Sequence, residues 1–464
     1  MCGDTIMSKH MDPLLEDLID KVPEYKEFKN VDELDAFLKN IAEEHKDLVK
    51  LEVSGYTRNG DEIYSLIIDG EGPAVLLIGA PHPNEPIGTL TIEYLVRRLT
   101  EDEEFRKAFS FKWVIVPVAD KDGLRLNEGW LKGPFNIINY AKNYYRPAGN
   151  VQVEWSFPIT YKRYSYTNPT PETRALMRLI YKYRPIFIYS LHNAGFGGVY
   201  YYISQDIPLL YPIFRLFPKT LGIPLSLGEP EVPWAKCLGR AVYKMVTLKD
   251  NYDFLESLGK DPLEVLDHGG STYDYASERV NNVLELVTEV PYFYDPRIED
   301  LSPHEMLRRD AVLEGIKHRE NTLKFITEIY ARIKEYVNVE RHRIAESIEY
   351  MIKKTPKTIE AEKMWALKDK SLERKAYTSE VFDSLLITRF YSLLSLGMLY
   401  RLVKEVAKEK RYVELAETVE NKFYEEGAYL ERELKYTVIN LKDLVKTQLN
   451  AGIYALLYLR EQQT

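Results

Sequence analysis

Apolar positions follow two different patterns along this chain, and the change falls after Pro296. Before it, short continuous apolar runs end in Gly, Pro and Asn-rich loops, the signature of buried strands. One such run opens the stretch Ala74 to Thr89, ends in a loop, and gives way to a helical pattern after Pro86. Others are Val114 to Ala119, Pro185 to His192 and Asn282 to Pro291. Strands that read as unbroken apolar runs belong in the middle of a sheet covered on both faces. The expected fold is α/β, a mixed, mainly parallel sheet flanked by helices.

After Pro296 the strand-like runs disappear and apolar positions recur three or four apart. Ser302-Pro-His-Glu305 has the form of a helix start, and a long helix is expected from there to about Lys354, where Thr355-Pro356 should stop it. Further helices are expected at Ile359 to Lys375, Ser379 to Lys408, Tyr412 to Lys435 and Leu441 to Arg460. At 464 residues the chain exceeds what one core usually fills. The expected division is an N-terminal segment 1–24, an α/β domain 25–300 and an all-α domain 301–464.

Composition narrows the function. A net charge of -9, with no basic run near the apolar strand ends, argues against nucleic acid as a partner. Two cysteines, Cys2 and Cys237, form no disulfide framework and suit a reducing compartment. The first twelve residues lack the apolar core of a signal peptide, so the expected location is cytoplasmic. Ser384 to Val403 is apolar but carries Arg389 inside it, which favours a buried helix over a membrane span. Its stripe of Leu385, Leu386, Phe390, Leu393, Leu394 and Met398 reads as bundle core, with a homo-oligomer interface as the alternative.

The chemistry gathers at the strand ends. His82 and Glu85, with two residues between them, are half of a metal site, because hydrolytic Zn²⁺ takes three ligands of the His₂Glu kind and keeps a position open for water. Of the other histidines, His10 and His45 lie in polar N-terminal sequence and His304, His318 and His342 in charged helical stretches. His192 instead ends an apolar run and is followed by Asn-Ala-Gly-Phe-Gly-Gly. Glu289 lies at the carboxyl end of its own run. Each alone has an ordinary explanation: an acid favoured at a helix start, a packed histidine, a paired buried carboxylate. Together they occupy the carboxyl ends of strands, where open α/β sheets collect functional groups.

These residues resemble the zinc carboxypeptidases of the carboxypeptidase A type, from about Phe28 to Arg297. His82-Pro-Asn-Glu85 looks like the family's first ligand pair, Ala119-Asp-Lys-Asp-Gly123 like its NPDG turn, His192 like its third ligand and Glu289 like its catalytic glutamate. Gly269-Gly270-Ser271 and the lead-in Leu51 to Tyr64 also match. The resemblance implies Zn²⁺ on His82, Glu85 and His192, Glu289 as general base and acid, and an oxyanion arginine, with Arg146 first and Arg125 in reserve.

The departures concern substrate. The family's carboxylate-clamping Asn-Arg pair belongs to a segment that here reads Gln152-Val-Glu-Trp-Ser-Phe-Pro158, so Glu154 and Trp155 stand in its place. Glu would repel a terminal carboxylate and suit a substrate cation, unless a neighbouring Arg or Lys pairs with it. The family's mobile tyrosine has no counterpart before Gly269, where Tyr273 or Tyr275 could substitute. His268, next to the glycine pair, reads as a loop residue with substrate contact as the alternative. The expectation is a zinc-dependent peptidase acting on a peptide or small amide. The alternatives are a deacylase of small N-acyl compounds and an inactive binding or scaffolding protein.

Overall fold

In the computed structural model, residues 13–339, 342–407 and 412–462 are described. His10, Cys2, the rest of residues 1–12 and the Lys408 helix end lie outside them.

The apolar runs pair into the centre of a nine-stranded mixed sheet. Ala74–Gly79, Lys112–Val116, Phe187–His192 and Leu284–Glu289 are parallel neighbours there, with Ala74–Gly79 between Lys112–Val116 and Phe187–His192. Val49–Tyr56 and Glu62–Ile68 add an antiparallel edge. On the other side Tyr200–Ile203 runs antiparallel to Leu284–Glu289 and parallel to Val242–Lys244, which pairs in turn with Cys237–Gly239. Parallel pairing is thus concentrated in the middle of the sheet, where all six residues of Ala74–Gly79, Phe187–His192 and Leu284–Glu289 are buried.

Side-chain alternation divides the strands between two cores. On one face Ile63, Leu76, Val116 and Ile188 meet Leu176, Leu179 and Ile180 of the Pro171–Tyr183 helix. On the other, Val75, Leu77, Ile115 and Tyr189 join a core that runs from Leu15 of the Pro13–Asp20 helix to Leu456 of the Leu441–Glu461 helix. The region after residue 300 therefore shares its apolar interior with the sheet.

That region is helical, with departures from the expected boundaries: the single helix expected to run to about Lys354 ends at Ile333, and another starts at Arg343. Ser302-Pro-His-Glu305 does not open a helix: Pro303–Leu307 pairs with Lys375–Tyr377 as a strand, and the helix is Arg308–Ile333. Pro356 does not end one either. It lies inside Arg343–Lys368, where buried Ile344, Ala345 and Ile348 before it and Ile359, Ala361 and Ala366 after it hold the axis across the missing N–H. The later helices are Thr388–Val406, continuous with a π-type turn over Asp383–Ile387, then Val413–Glu433 and Leu441–Glu461. Phe390, Leu393, Leu394 and Met398 are buried within the chain. By length and composition Thr378–Val406 would suffice to cross a membrane, yet 61% of its most apolar window is buried in the fold.

Candidate metal centre

Three loops deliver the site. The chain leaves the Ala74–Gly79 strand through Ala80, which adopts a left-handed φ of 41°, and turns so that His82 and Glu85 face the next strand end before the Ile87–Glu101 helix begins. Gly88 lets that helix start close by, for a Cβ there would lie 2.6 Å from Leu191 Cβ. Parallel register sets Glu289 directly beside His192. Asn193 locks the loops together: its Oδ1 accepts from Ile87 N at 3.1 Å and from the Tyr292 hydroxyl at 2.7 Å, while its Nδ2 donates to the Val290 carbonyl at 2.9 Å.

Glu85 Oε2 is the meeting point. His82 Nδ1 lies 3.1 Å from it and His192 Nδ1 2.9 Å, and the three side chains offer ligand atoms all within 4.8 Å of one another. All three residues are buried. Glu289 Oε1 is 3.6 Å from His192 Nδ1, and its Oε2 is buried with no hydrogen-bond partner among the described residues. Arg146 bonds the other oxygen of Glu85, and its guanidinium also donates to Asn84 Oδ1 at 3.2 Å and to Gln152 Oε1.

The electrostatics follow from this crowding. Burial and the Arg146 charge push the His82 imidazole down to about 4, so it is neutral at neutral pH. Burial disfavours charge on Glu85, yet His82, Arg146 and the bond from His192 hold its carboxyl well below the usual range. Burial and the neighbouring Glu85 push the Glu289 carboxyl well up. Burial also disfavours charge on His192, but Glu154 and Glu85 on its two nitrogens raise it well above the ordinary value.

A model of the zinc carboxypeptidase family matches residues 34–207, the segment that holds His82, Glu85 and His192. Over that segment the chain is similar to the family. Among curated relatives of the chain, a metallocarboxypeptidase A-like protein of Trichophyton verrucosum is 31% identical over 94 residues, covering 19% of this chain and 22% of the relative. The inactive metallocarboxypeptidase ecm14 of Schizosaccharomyces pombe is 27% identical over 115 residues, covering 21% and 23%. The chain thus spans less than a quarter of the length of these relatives. The crystal structure of carboxypeptidase A from Helicoverpa armigera superposes with a TM-score of 0.38 at 17% identity, over 61% of this chain and 70% of that one. A metallo-carboxypeptidase from Burkholderia cenocepacia gives 0.35 at 16% identity, over 60% and 63%.

That family implies Zn²⁺, and the donor set present here fits it. Two imidazoles and one carboxylate are the usual ligands of a hydrolytic zinc site, and the neutral His82 ring is in the protonation state a ligand needs. His192 is oriented for the same task. Its Nε2 donates to Glu154 Oε2 at 2.8 Å, turning Nδ1 toward Glu85, the carboxylate–histidine arrangement that fixes tautomer and ring orientation at metal sites.

That contact corrects the sequence reading of Glu154. Its side chain does not await a substrate cation: it is only 6% exposed, and besides His192 it accepts from Ser190 Oγ at 2.7 Å and Thr272 Oγ1 at 3.2 Å. Arg125 is also not at the site, because Asp32 and Asp61 each hold it at 2.9 Å on the surface. Tyr273 and Tyr275 do not line the cavity. Tyr275 packs on Phe157 at 5.2 Å and lies under Arg279, since the helix Thr272–Ser277 turns it into the core. Trp155 does line it, edge-on to His268 at 5.4 Å, so His268 is a wall residue. Sequence reasoning missed Asn193, Ser190 and Thr272. Only Asn193 had a nearby signal, as the polar residue directly following His192 in a loop.

The centre opens into a cavity of about 880 Å³. Its walls come from the sheet side through Tyr200, Tyr202, Trp155 and Val287, and from the helical region through Ile316, Tyr391 and Trp365.

Proposed function

We propose that this protein hydrolyses an amide bond in a peptide or small amide, using Zn²⁺ held by His82, Glu85 and His192. The observation that supports this most is the convergence of those three side chains within 4.8 Å, with Glu289 Oε1 3.6 Å from His192 Nδ1. When bound there, zinc would polarise the scissile carbonyl and lower the pKa of water from 15.7 toward about 7.

The chain's own residues do the rest. Glu289 takes a proton from the attacking water on its free carboxylate oxygen and returns it to the amine nitrogen as the C–N bond breaks. A carboxyl pushed up by burial holds that proton between the two transfers. Arg146, beside Glu85, stabilises negative charge developing on the carbonyl oxygen. Glu154 keeps the His192 ring in its orientation.

One observation favours a substrate without a free carboxylate, as a deacylase or an amide-trimming enzyme would take. Every lysine and arginine on the cavity wall already has a carboxylate partner: Arg146 with Glu85, Arg319 with Glu362 and Lys354 with Asp267.

The test measures zinc in the purified protein and in His192→Ala, then assays peptides with free and amidated C-termini and N-acyl amino acids, with Glu289→Gln as control. One zinc per chain, lost in His192→Ala, with turnover that vanishes in Glu289→Gln, is expected. Stoichiometric zinc without Glu289-dependent turnover would overturn hydrolysis in favour of a binding role. A strict requirement for a free terminal carboxylate would overturn the inference from the paired basic residues.

A further inference from the structure

One part of the cavity wall is polar and carries the candidate metal ligands; another is apolar and aromatic. Trp155 belongs to the second part. Its neighbour Glu154 touches His192, while Trp155 itself lines the cavity edge-on to His268. The rest of that part comes from the cluster of buried Leu255, Leu266 and Ala361, against which Phe254 and Trp365 pack. Trp234 stacks on Phe254 with ring centroids 4.1 Å apart. Trp155, Trp234, Phe254 and Trp365 are all half-buried, so each keeps ring surface to offer.

The polar groups around these rings are matched to one another. Trp234 Nε1 donates to Asn251 Oδ1 and Trp365 Nε1 to Asp369 Oδ2, each at 3.0 Å. Lys354 pairs with Asp267 at 2.8 Å, the Tyr350 hydroxyl donates to the same carboxylate at 2.9 Å, and Arg319 pairs with Glu362. Each basic side chain there has its counter-charge, so the surface on offer is ring and aliphatic carbon. Such a surface gains by covering an uncharged apolar group, and most by covering a flat one.

The arrangement is also set in advance. Ala361 and Trp365 sit on the Arg343–Lys368 helix, outside the segment that matches the family. That helix is tied to the facing wall by Lys260 with Glu360 at 2.6 Å, Lys357 Nζ to the Glu264 carbonyl at 2.8 Å and Lys368 Nζ to the Leu258 carbonyl at 3.2 Å. A wall held in place before binding loses little freedom when a ligand enters.

We propose that this part of the cavity is a binding subsite for an uncharged aromatic group of the substrate, lined by Trp155, Trp365 and the stacked Trp234 and Phe254, and that the amide hydrolysed here carries such a ring apart from the scissile bond. This rests on the reading of the site as an amide hydrolase. The helical region then selects substrate as well as covering the sheet.

The experiment uses the full chain loaded with zinc and two matched series of glycine amides. In one the acyl group is acetyl, hexanoyl, phenylpropanoyl, naphthylpropanoyl or carboxyphenylpropanoyl; in the other the same groups are carried on the amine. In one series wild type is expected to favour phenyl and naphthyl over acetyl by about ten- to a hundredfold in kcat/KM, and a carboxylate on the ring should erase the gain. Trp365→Ala should bring the naphthyl-to-acetyl ratio toward one, with partial return in Trp365→Phe. Thr358→Trp, which fills the cavity from an exposed position on the same helix, should lower the ratio too. Equilibrium binding of the naphthyl and acetyl compounds to Glu289→Gln, with and without Trp365→Ala, reads the same preference without turnover.

Hydrolysis with no gain from a ring in either series would overturn the subsite and leave the hydrolase standing. Binding that favours naphthyl and needs Trp365, without any hydrolysis, would overturn the hydrolase and leave the subsite. Equal rates for the phenyl and carboxyphenyl compounds would overturn its preference for uncharged groups. A ratio unmoved in folded Trp365→Ala and Thr358→Trp would overturn its place on this wall. If Trp365→Ala does not fold, Thr358→Trp decides alone.

Discussion

Gln448 Nε2 donates to the backbone carbonyl of His192 at 2.9 Å, across 256 positions of sequence. The same side chain accepts from Thr91 Oγ1 at 2.7 Å, and its backbone carbonyl accepts from Tyr189 at 2.6 Å. A residue of the Leu441–Glu461 helix thus braces the strand end that carries a candidate metal ligand and the helix that follows His82 and Glu85.

Gln448→Leu should therefore destabilise the protein by roughly 1–3 kcal/mol, because it strands a buried carbonyl and a buried hydroxyl. Urea unfolding monitored by circular dichroism measures this. An unchanged midpoint would show that the bond is dispensable.

Glu154→Gln should weaken zinc binding by about 10- to 100-fold while leaving the fold intact, the usual consequence of losing the charged acceptor behind a ligating histidine. Competition with a chelator of known affinity gives the constant. Wild-type affinity in this variant would refute the orienting role.

Glu289→Gln should retain one zinc per chain yet lose turnover by a factor of about 10² to 10⁴, as removal of a general base does. Metal content and rate on one sample separate the two effects. Loss of metal together with rate would mean that Glu289 holds the ion.

Asp383, in the π-type turn, has its carboxyl pushed up to about 8 by burial and then by Glu229. Between its ordinary value of 3.8 and about 8 the folded state binds more protons than the unfolded chain. Its contribution to stability is complete below that window and is lost as pH rises through it. Asp383→Asn, which still accepts from Glu229 N, should flatten the fall in urea midpoint between pH 5 and pH 8. Parallel slopes for the two proteins would refute this.

The cluster that could hold a metal was legible because its parts obey local rules. Apolar runs mark strands, and His82, Glu85, His192 and Glu289 stand where such runs stop, so one-dimensional pattern was enough to nominate them. Glu154 was misread because its partner is set by the packing of the Val153–Trp155 turn over the Phe187–His192 strand, which no spacing encodes. Arg125 failed for a similar reason: a guanidinium goes to the nearest acids, and Asp32 and Asp61 come from elsewhere in the chain. Pro356 and the Ser302 signal were overruled by burial and strand pairing, which outweigh local propensity. Gln448 had no signal at all, being one polar position on an otherwise apolar helix face.

The single apolar interior from Leu15 to Leu456 also orders events during synthesis. A nascent chain that has emerged only as far as Glu289 already carries every candidate ligand, but its sheet lacks the cover that Leu444, Val445 and Leu449 provide and its His192 carbonyl lacks Gln448. A chain cut before Leu441 is therefore expected to leave the His192 carbonyl unpaired and one face of the sheet uncovered.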